Sequence, residues 1–337
     1  MLGLTGFFVL LAIVWLILPT PAASIETIYS RGIFPTLAWL IVGMTDVVPF
    51  SVAGLGLLIL PIAIIFWITR VIREKRWAWF WRVPVVGLAL YGLFILLWGA
   101  NYRRQPIEQL LKLETSQVKP QDLEMLAQNL LVVLQQEANA PRDQARAFAA
   151  LRQAIGQQIK TINGFTPTLP TKIKATPAGL LLVLETSGVV SPFTLEAHVD
   201  SGLPEPFFLA VSAHELVHTS GFAGEADTDL IAALAGLRSS DAYGRYCIAL
   251  AYFARILGDS SQKMQASLVK ALPAQAKADY AALGQAQSQY QIPFLASVSQ
   301  ATYNQYLKSQ GVSAGVKDYS RIGRLLAAAQ HQGLVFR

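Results

Sequence analysis

A chain of 337 residues with 53% hydrophobic and only 14% charged residues is too apolar for an ordinary soluble enzyme, and it is long enough for more than one domain. Its formal charge of +6 comes without any nucleic-acid-binding motif, so attraction to anionic lipid is expected and nucleic acid is not. The single cysteine, Cys247, excludes an internal disulfide, and its apolar neighbours make it a small core residue, not a reactive thiol.

In chain order, the apolar residues concentrate at the front. No charge appears from Leu2 to Ile25, from Val47 to Thr69, or from Val83 to Tyr102. Each run is long enough to cross a hydrocarbon core, which predicts three transmembrane helices near 2–20, 51–69 and 83–99 in a membrane domain 1–100. The first run ends in Thr20-Pro21-Ala22-Ala23-Ser24, a possible signal-peptide end, although no basic residue precedes it. Between the first two runs, Ile33 to Thr45 is apolar but short and contains Pro35, so the segment 28–46 is expected to lie in the interface.

Arg70, Arg73, Lys75, Arg76 and Arg82, opposed only by Glu74, join the second and third runs. Basic loops stay in the cytoplasm, so the third helix is expected to run outward and place everything after about Asn101 on the extracytoplasmic side of the cytoplasmic membrane. Arg103 and Arg104 mildly oppose this orientation.

The remainder, 101–337, has ordinary globular composition. Helical periodicity marks Pro106 to Glu114, Pro120 to Glu137 and Arg142 to Lys160, with Leu123, Leu126, Leu130, Val133 and Leu134 on one stripe. A Pro/Thr-rich connection leads to two strand candidates, Leu180 to Leu184 and Pro192 to Asp200. A helix is expected from near Glu205 to the glycine turn Thr219-Ser220-Gly221, and a second from near Gly224. Five further helical stretches follow, at 242–257, 261–271, 274–289, 293–308 and 320–330. The predicted fold is mainly α, of α+β type, with a small sheet.

His214-Glu215-Leu216-Val217-His218 carries the chemistry. Two imidazoles four residues apart share a helix face and can grip one metal ion. Zn2+ there would lower the pKa of its water from about 15.7 to about 7, and Glu215 would be the general base. A hydrolytic zinc needs three protein ligands and an open position. Glu225 is the best third ligand, just past the glycine turn, and Asp229, one turn on, could hold the outer N–H of a ligating histidine. Asp227 is a weaker candidate, and His198 is the spare histidine that would close a purely structural site. The three-histidine peptidase spacing fails at Gly224, and the only downstream methionine is Met264. Arg245 and Tyr246, with Tyr243 also possible, are the oxyanion candidates on the following helix. The segment 192–200 is a candidate edge strand for substrate, with Phe193, Thr194 and Glu196 as its binding residues.

These residues resemble a bacterial family of uncharacterised membrane proteins regarded as zinc metallopeptidases of the zincin group. The resemblance is carried by His214 to His218 with Gly221-Phe222 and Glu225, by Arg245-Tyr246, and by Pro192-Phe193-Thr194-Leu195-Glu196-Ala197. Pro49-Phe50-Ser51, Trp98-Gly99-Ala100-Asn101-Tyr102, Tyr306-Leu307-Lys308 and Gly315-Val316-Lys317-Asp318-Tyr319 extend it over most of the chain. It implies a zincin-like domain outside three membrane helices, with His214, His218 and Glu225 as ligands and Glu215 as base. Asp227-Thr228-Asp229 departs from the family's usual glutamate, alanine and asparagine. Membrane peptidases of the prenyl-protein-processing and heat-shock type carry an aspartate at the position of Asp229.

The expected function is therefore a membrane-anchored zinc metalloendopeptidase whose partners are the lipid bilayer and a peptide or protein substrate. A zinc-stabilised scaffold without catalysis and an amidase of cell-wall peptides are the alternatives, and the sequence says nothing of oligomeric state.

Overall fold

The computed structural model describes residues 2–258 and 261–336. The chain divides into two units, Met1–Arg104 with Ser191–Glu196, and Gln105–Val190 with Ala197–Arg337.

The first unit contains α1 (Leu2–Ile17), a π-helical stretch Ile25–Ile33, α2 (Phe34–Thr45), α3 (Val52–Arg73) and α4 (Arg82–Leu97). Two helical stretches, Val52–Arg73 and Trp77–Leu97, are long and apolar enough to cross a membrane. The expected first crossing is shorter than its apolar run. The 16 residues of α1 rise about 24 Å, below the roughly 20 residues that a span needs. Pro19 and Pro21 end the helix, because a residue before proline is driven out of the α region. α1 packs along α4, where a Cβ on Gly92 would fall 2.0 Å from the Phe8 carbonyl oxygen. Only glycine permits that approach.

Segment 28–46 forms the end of the π stretch and α2. It is held by polar contacts rather than by apolar packing alone. Glu26, 2% exposed, accepts hydrogen bonds from both Arg104 Nε and Nη2 at 2.9 Å and from Arg31 Nε at 2.7 Å. Ser30 donates to Asn101 Oδ1 at 2.8 Å, and the Tyr29 hydroxyl to the Leu96 carbonyl at 2.8 Å. At the start of α3, the Ser51 hydroxyl accepts from Gly54 N–H, and the Glu196 carboxylate accepts from Val52 and Ala53 N–H at 2.9 and 2.8 Å. A carboxylate at a helix N-terminus satisfies orphan donors and complements the dipole.

The second unit is mainly helical with one small sheet: α5 (Pro120–Glu137), α6 (Gln144–Asn163), β1 (Lys174–Thr176), β2 (Gly188–Val190), β3 (Ala197–Asp200), α7 (Glu205–Thr219), α8 (Glu225–Gly236), α9 (Ala242–Leu257), α10 (Gln262–Ala271), α11 (Ala274–Tyr290), α12 (Pro293–Ser309) and α13 (Ile322–His331). The periodic stripe on α5 packs inward through Leu126, Leu130 and Leu134. Every residue of α8 is buried, including Glu225, Asp227 and Asp229. Ala232, Ala233, Ala235 and Gly236 let its neighbours approach closely; a Cβ on Gly236 would meet Ile248 at 2.3 Å. Three carboxylates in a helix this deep must each have a partner.

The sheet order is β1-β3-β2, with β1 parallel and β2 antiparallel to β3. This corrects both strand expectations. Leu180 to Leu184 is a turn followed by one turn of 3₁₀-helix. The cause is Asp200, whose carboxylate accepts from Gly179, Leu181 and Leu182 N–H at 2.8, 2.7 and 3.1 Å. Those amides are drawn into a turn and lost to a ladder. Of 192–200, only Ala197–Asp200 is strand, and it is the central one. Among the described residues the outer strands are β1 and β2.

Candidate metal centre

α7 brings the two histidines to one face, and the tight turn after it brings α8 back across them. Gly221, with φ of 89°, makes the turn, and α8 begins at Glu225. His214 Nε2 and His218 Nε2 are 3.0 Å apart, and Glu225 Oε2 lies 3.1 and 3.3 Å from them.

The outer nitrogens decide what the inner ones are. His218 Nδ1 is 2.7 Å from the Phe222 carbonyl, which only accepts, so Nδ1 carries a proton. His214 Nδ1 is 2.9 Å from Asp229 Oδ1, and Asp229 is held below the usual carboxylate range; burial opposes this, but His214 and Arg255 outweigh it. That nitrogen donates too. In the neutral rings both Nε2 atoms therefore aim lone pairs at Glu225 Oε2. Three electron-rich atoms this close require a cation among them, a proton or a metal.

The electrostatics agree. Burial works against charging His214, yet Asp229 and Glu225 hold it well above the ordinary histidine value, and His218 is raised chiefly by Glu225. Burial likewise works against the Glu225 carboxylate, and the two histidines nonetheless hold it well below 4.5. A tetrahedral ion with ligands at about 2.0–2.1 Å separates them by about 3.3 Å, so this donor set fits a zinc-like ion. Among the described residues, His214, His218 and Glu225 form the cluster able to hold one, their ligand atoms all within 4.8 Å of one another. His198 stands in β3, opposite Lys174 and Val189, outside that cluster.

Behind His214, Asp229 is fully engaged. Arg255 Nη1 and Nη2 reach its two oxygens at 2.8 and 2.6 Å, and the buried Tyr252 hydroxyl donates to Oδ1 at 3.1 Å. Asp227 points elsewhere and accepts from Ile107 N–H at 3.1 Å. Burial, with Glu108 next to it, pushes its carboxyl up to about 7.

Glu215 stands beside the cluster and against the edge strand. A Cβ on Gly188 would lie 2.6 Å from Glu215 Oε1, so the missing side chain makes room for this carboxylate. Burial pushes Glu215 up to about 7, against the pull of His218 and His214. A carboxyl poised there can take and return a proton near neutrality.

The family model described as Protein of unknown function (DUF3810) matches residues 29–327. The chain belongs to that family. No curated protein and no solved structure matches it. Every residue of the cluster, with Glu215 and Asp229, lies inside the DUF3810 span.

The remaining sequence candidates go elsewhere. Arg245 donates to Glu137 Oε1 at 3.0 Å from Nε and 2.5 Å from Nη2, and to the Ser239 carbonyl at 2.8 Å. Tyr246 donates to Asp279 Oδ2 at 2.6 Å and Tyr243 to Glu205 Oε1 at 2.8 Å. The residues of α9 that reach the cluster's surroundings are Tyr252 and Arg255, about 10–15 Å further along the helix at 1.5 Å per residue. Thr194 and Glu196 are likewise engaged: Thr194 Oγ1 donates to Glu196 Oε2 at 2.9 Å, and Glu196 caps α3. Phe193 is in the adjoining turn, 43% exposed. Besides Tyr252 and Arg255, a third residue escaped the sequence reading: the Tyr303 hydroxyl, on α12, donates to Glu225 Oε1. Its signal was slight, an aromatic pair with Tyr306 in an otherwise polar stretch.

Proposed function

We propose that this protein is a membrane-anchored, zinc-dependent endopeptidase with His214, His218 and Glu225 as ligands and Glu215 as general base. The observation that carries the reading is the convergence of His214 Nε2, His218 Nε2 and Glu225 Oε2 within 3.3 Å of one another, beside a buried carboxyl poised near 7. Bound there, zinc supplies a Lewis acid and a water that ionises near neutral pH. The protein's own groups do the rest. Asp229 fixes the tautomer and ring orientation of His214, as the Phe222 carbonyl does for His218. Glu215 accepts the proton of the attacking water and returns it to the leaving amine.

Substrate recognition passes from 192–196 to β2. Gly188–Val190 is an outer strand, and its first residue makes room for Glu215. An extended peptide adding to that strand would bring its backbone beside the base. The zincin-like assignment of the second unit rests on this site.

Within the membrane, α3 and the Trp77–Leu97 stretch are the spans, and α1 packs along α4. Arg70, Arg73, Lys75, Arg76 and Arg82 put their connecting loop in the cytoplasm and the catalytic unit outside it. Arg76 and Arg82 both stack on Trp79, at 4.9 and 4.7 Å, as suits a headgroup layer.

Metal content and peptide hydrolysis of the detergent-solubilised full chain test the reading. Wild type is expected to hold one equivalent of zinc that His214→Ala and Glu225→Ala lose, and Glu215→Gln to hold zinc without cleaving peptides. Full hydrolysis by zinc-loaded Glu215→Gln would sink the mechanism, and a wild type that binds zinc but cleaves no peptide library would favour a scaffold.

A further inference from the structure

Building on the hydrolytic reading above, we propose that Tyr303 is the catalytic residue that stabilises the oxyanion. Its hydroxyl donates to Glu225 Oε1, while the other oxygen of the same carboxylate faces both histidine Nε2 atoms. The phenol is thus one hydrogen bond from the ligand set. Tyr303 is part-exposed whereas Glu225 is buried.

Its position is built rather than incidental. The 3₁₀-helix Gly315–Arg321 grips both partners, each at the residue that follows. Val316 N–H donates to Asn304 Oδ1 at 3.2 Å, next to Tyr303, and Asp318 Oδ2 accepts from Ala226 N–H at 3.2 Å, next to Glu225. Gly315, with φ of 57°, is required: a Cβ there would fall 1.9 Å from Asn304 Oδ1. Tyr306 stacks on Tyr303 from the next turn, ring centroids 6.1 Å apart. One short helix therefore contacts the chain beside both phenol and carboxylate.

The other candidate donors are committed. Arg255 and Tyr252 hold Asp229 behind His214, Arg245 is bound to Glu137, and Tyr246 to Asp279. In the reaction, the water oxygen bonds to the scissile carbonyl carbon, its proton passes to Glu215, and the carbonyl π electrons collect on oxygen. The Tyr303 O–H turns from Glu225 to that oxygen as a hydrogen-bond donor. On collapse the C=O re-forms, the C–N bond breaks, and Glu215 gives its proton to nitrogen.

Tyr303→Phe in the zinc-loaded, detergent-solubilised full chain tests this, with zinc affinity, binding of a peptide phosphonate that mimics the tetrahedral oxyanion, and hydrolysis of a fluorogenic peptide library as readouts. The expected result is zinc affinity lowered at most about 10–100-fold, as for a lost ligand support, and, at saturating zinc, phosphonate affinity and kcat lowered about 10²–10³-fold with KM little altered. Equal phosphonate binding by zinc-saturated variant and wild type overturns the assignment and makes Tyr303 a support for Glu225 only. A zinc-loaded wild type that neither binds the phosphonate nor cleaves peptide refutes the hydrolytic reading itself, and Tyr303's role with it. If Glu215→Gln is inactive while Tyr303→Phe stays fully active, only the Tyr303 assignment falls.

Discussion

Asp229→Ala separates the support of the metal centre from its ligands. The wild-type carboxylate collects four hydrogen bonds, from His214 Nδ1, the Tyr252 hydroxyl and two Arg255 nitrogens. Without it, His214 loses the acceptor that holds Nδ1 protonated and Nε2 free, and removing such a support costs about 10–100-fold in metal affinity. At 1.4 kcal/mol per tenfold, that is about 1.4–2.8 kcal/mol. Stability falls separately. The fully buried Tyr252 hydroxyl is left without this acceptor at a cost of about 1–3 kcal/mol. Arg255, whose side chain is 35% exposed, is rehydrated and adds at most about 1 kcal/mol. The assay is competition for zinc against a chromophoric chelator, paired with thermal unfolding in the presence and absence of metal. Asp227→Asn is the control, since that carboxyl bonds Ile107 N–H, away from the histidines, and should leave zinc affinity as in wild type. Equal zinc affinity in Asp229→Ala and wild type would refute the argument, whatever happens to stability.

The other expectations concern the edge strand and the membrane unit. Gly188→Ala puts a methyl 2.6 Å from Glu215 Oε1. A displacement of about 1 Å at the base costs about 10²-fold in kcat, with zinc content unchanged; a fully active variant would remove the geometric link between β2 and the base. In the first unit, Arg104→Ala leaves the Glu26 carboxylate, 2% exposed, with Arg31 as its partner, and should destabilise by about 1–3 kcal/mol, read from thermal unfolding in detergent. A loss below 1 kcal/mol would contradict the pairing, where "below 1" is about the value of an exposed ion pair. The same pair fixes a pH dependence. Burial raises the Glu26 pKa, but Arg104 and Arg31 bring it net below 4.5. Its stabilisation is therefore complete above pH 4.5 and is lost as the pH falls through the lowered value. Wild type should lose stability across that acid range more steeply than Glu26→Gln, in parallel scans.

Which parts were legible follows from how local their causes are. The helices α5 to α13 announce themselves through residue patterns within each segment, and the histidine pair through a spacing internal to one helix. What escaped depends on distant partners. Leu180 to Leu184 is apolar enough for a strand, yet Asp200 takes its amides into a turn from 18 to 21 residues away. The helix carrying Arg245 and Tyr246 was visible, but which of its turns meets α8 was not, so Tyr252 and Arg255 were passed over. Tyr303 is 78 residues from Glu225 and belongs to no motif with it. The apolar run from Leu2 likewise hides that Pro19 and Pro21 end the helix at Ile17.

The inward aim of both Nε2 atoms has a thermodynamic signature. Without metal, the electrostatics that raise His214 and depress Glu225 retain a proton among the three ligand atoms. Zinc must evict it, so each loading event hands a hydrogen ion to the solution. The heat of titration will then change with the ionisation enthalpy of the buffer, and its slope will count the ions released. A calorimeter run in two buffers can therefore count the protons held by the ligand set without any substrate being known.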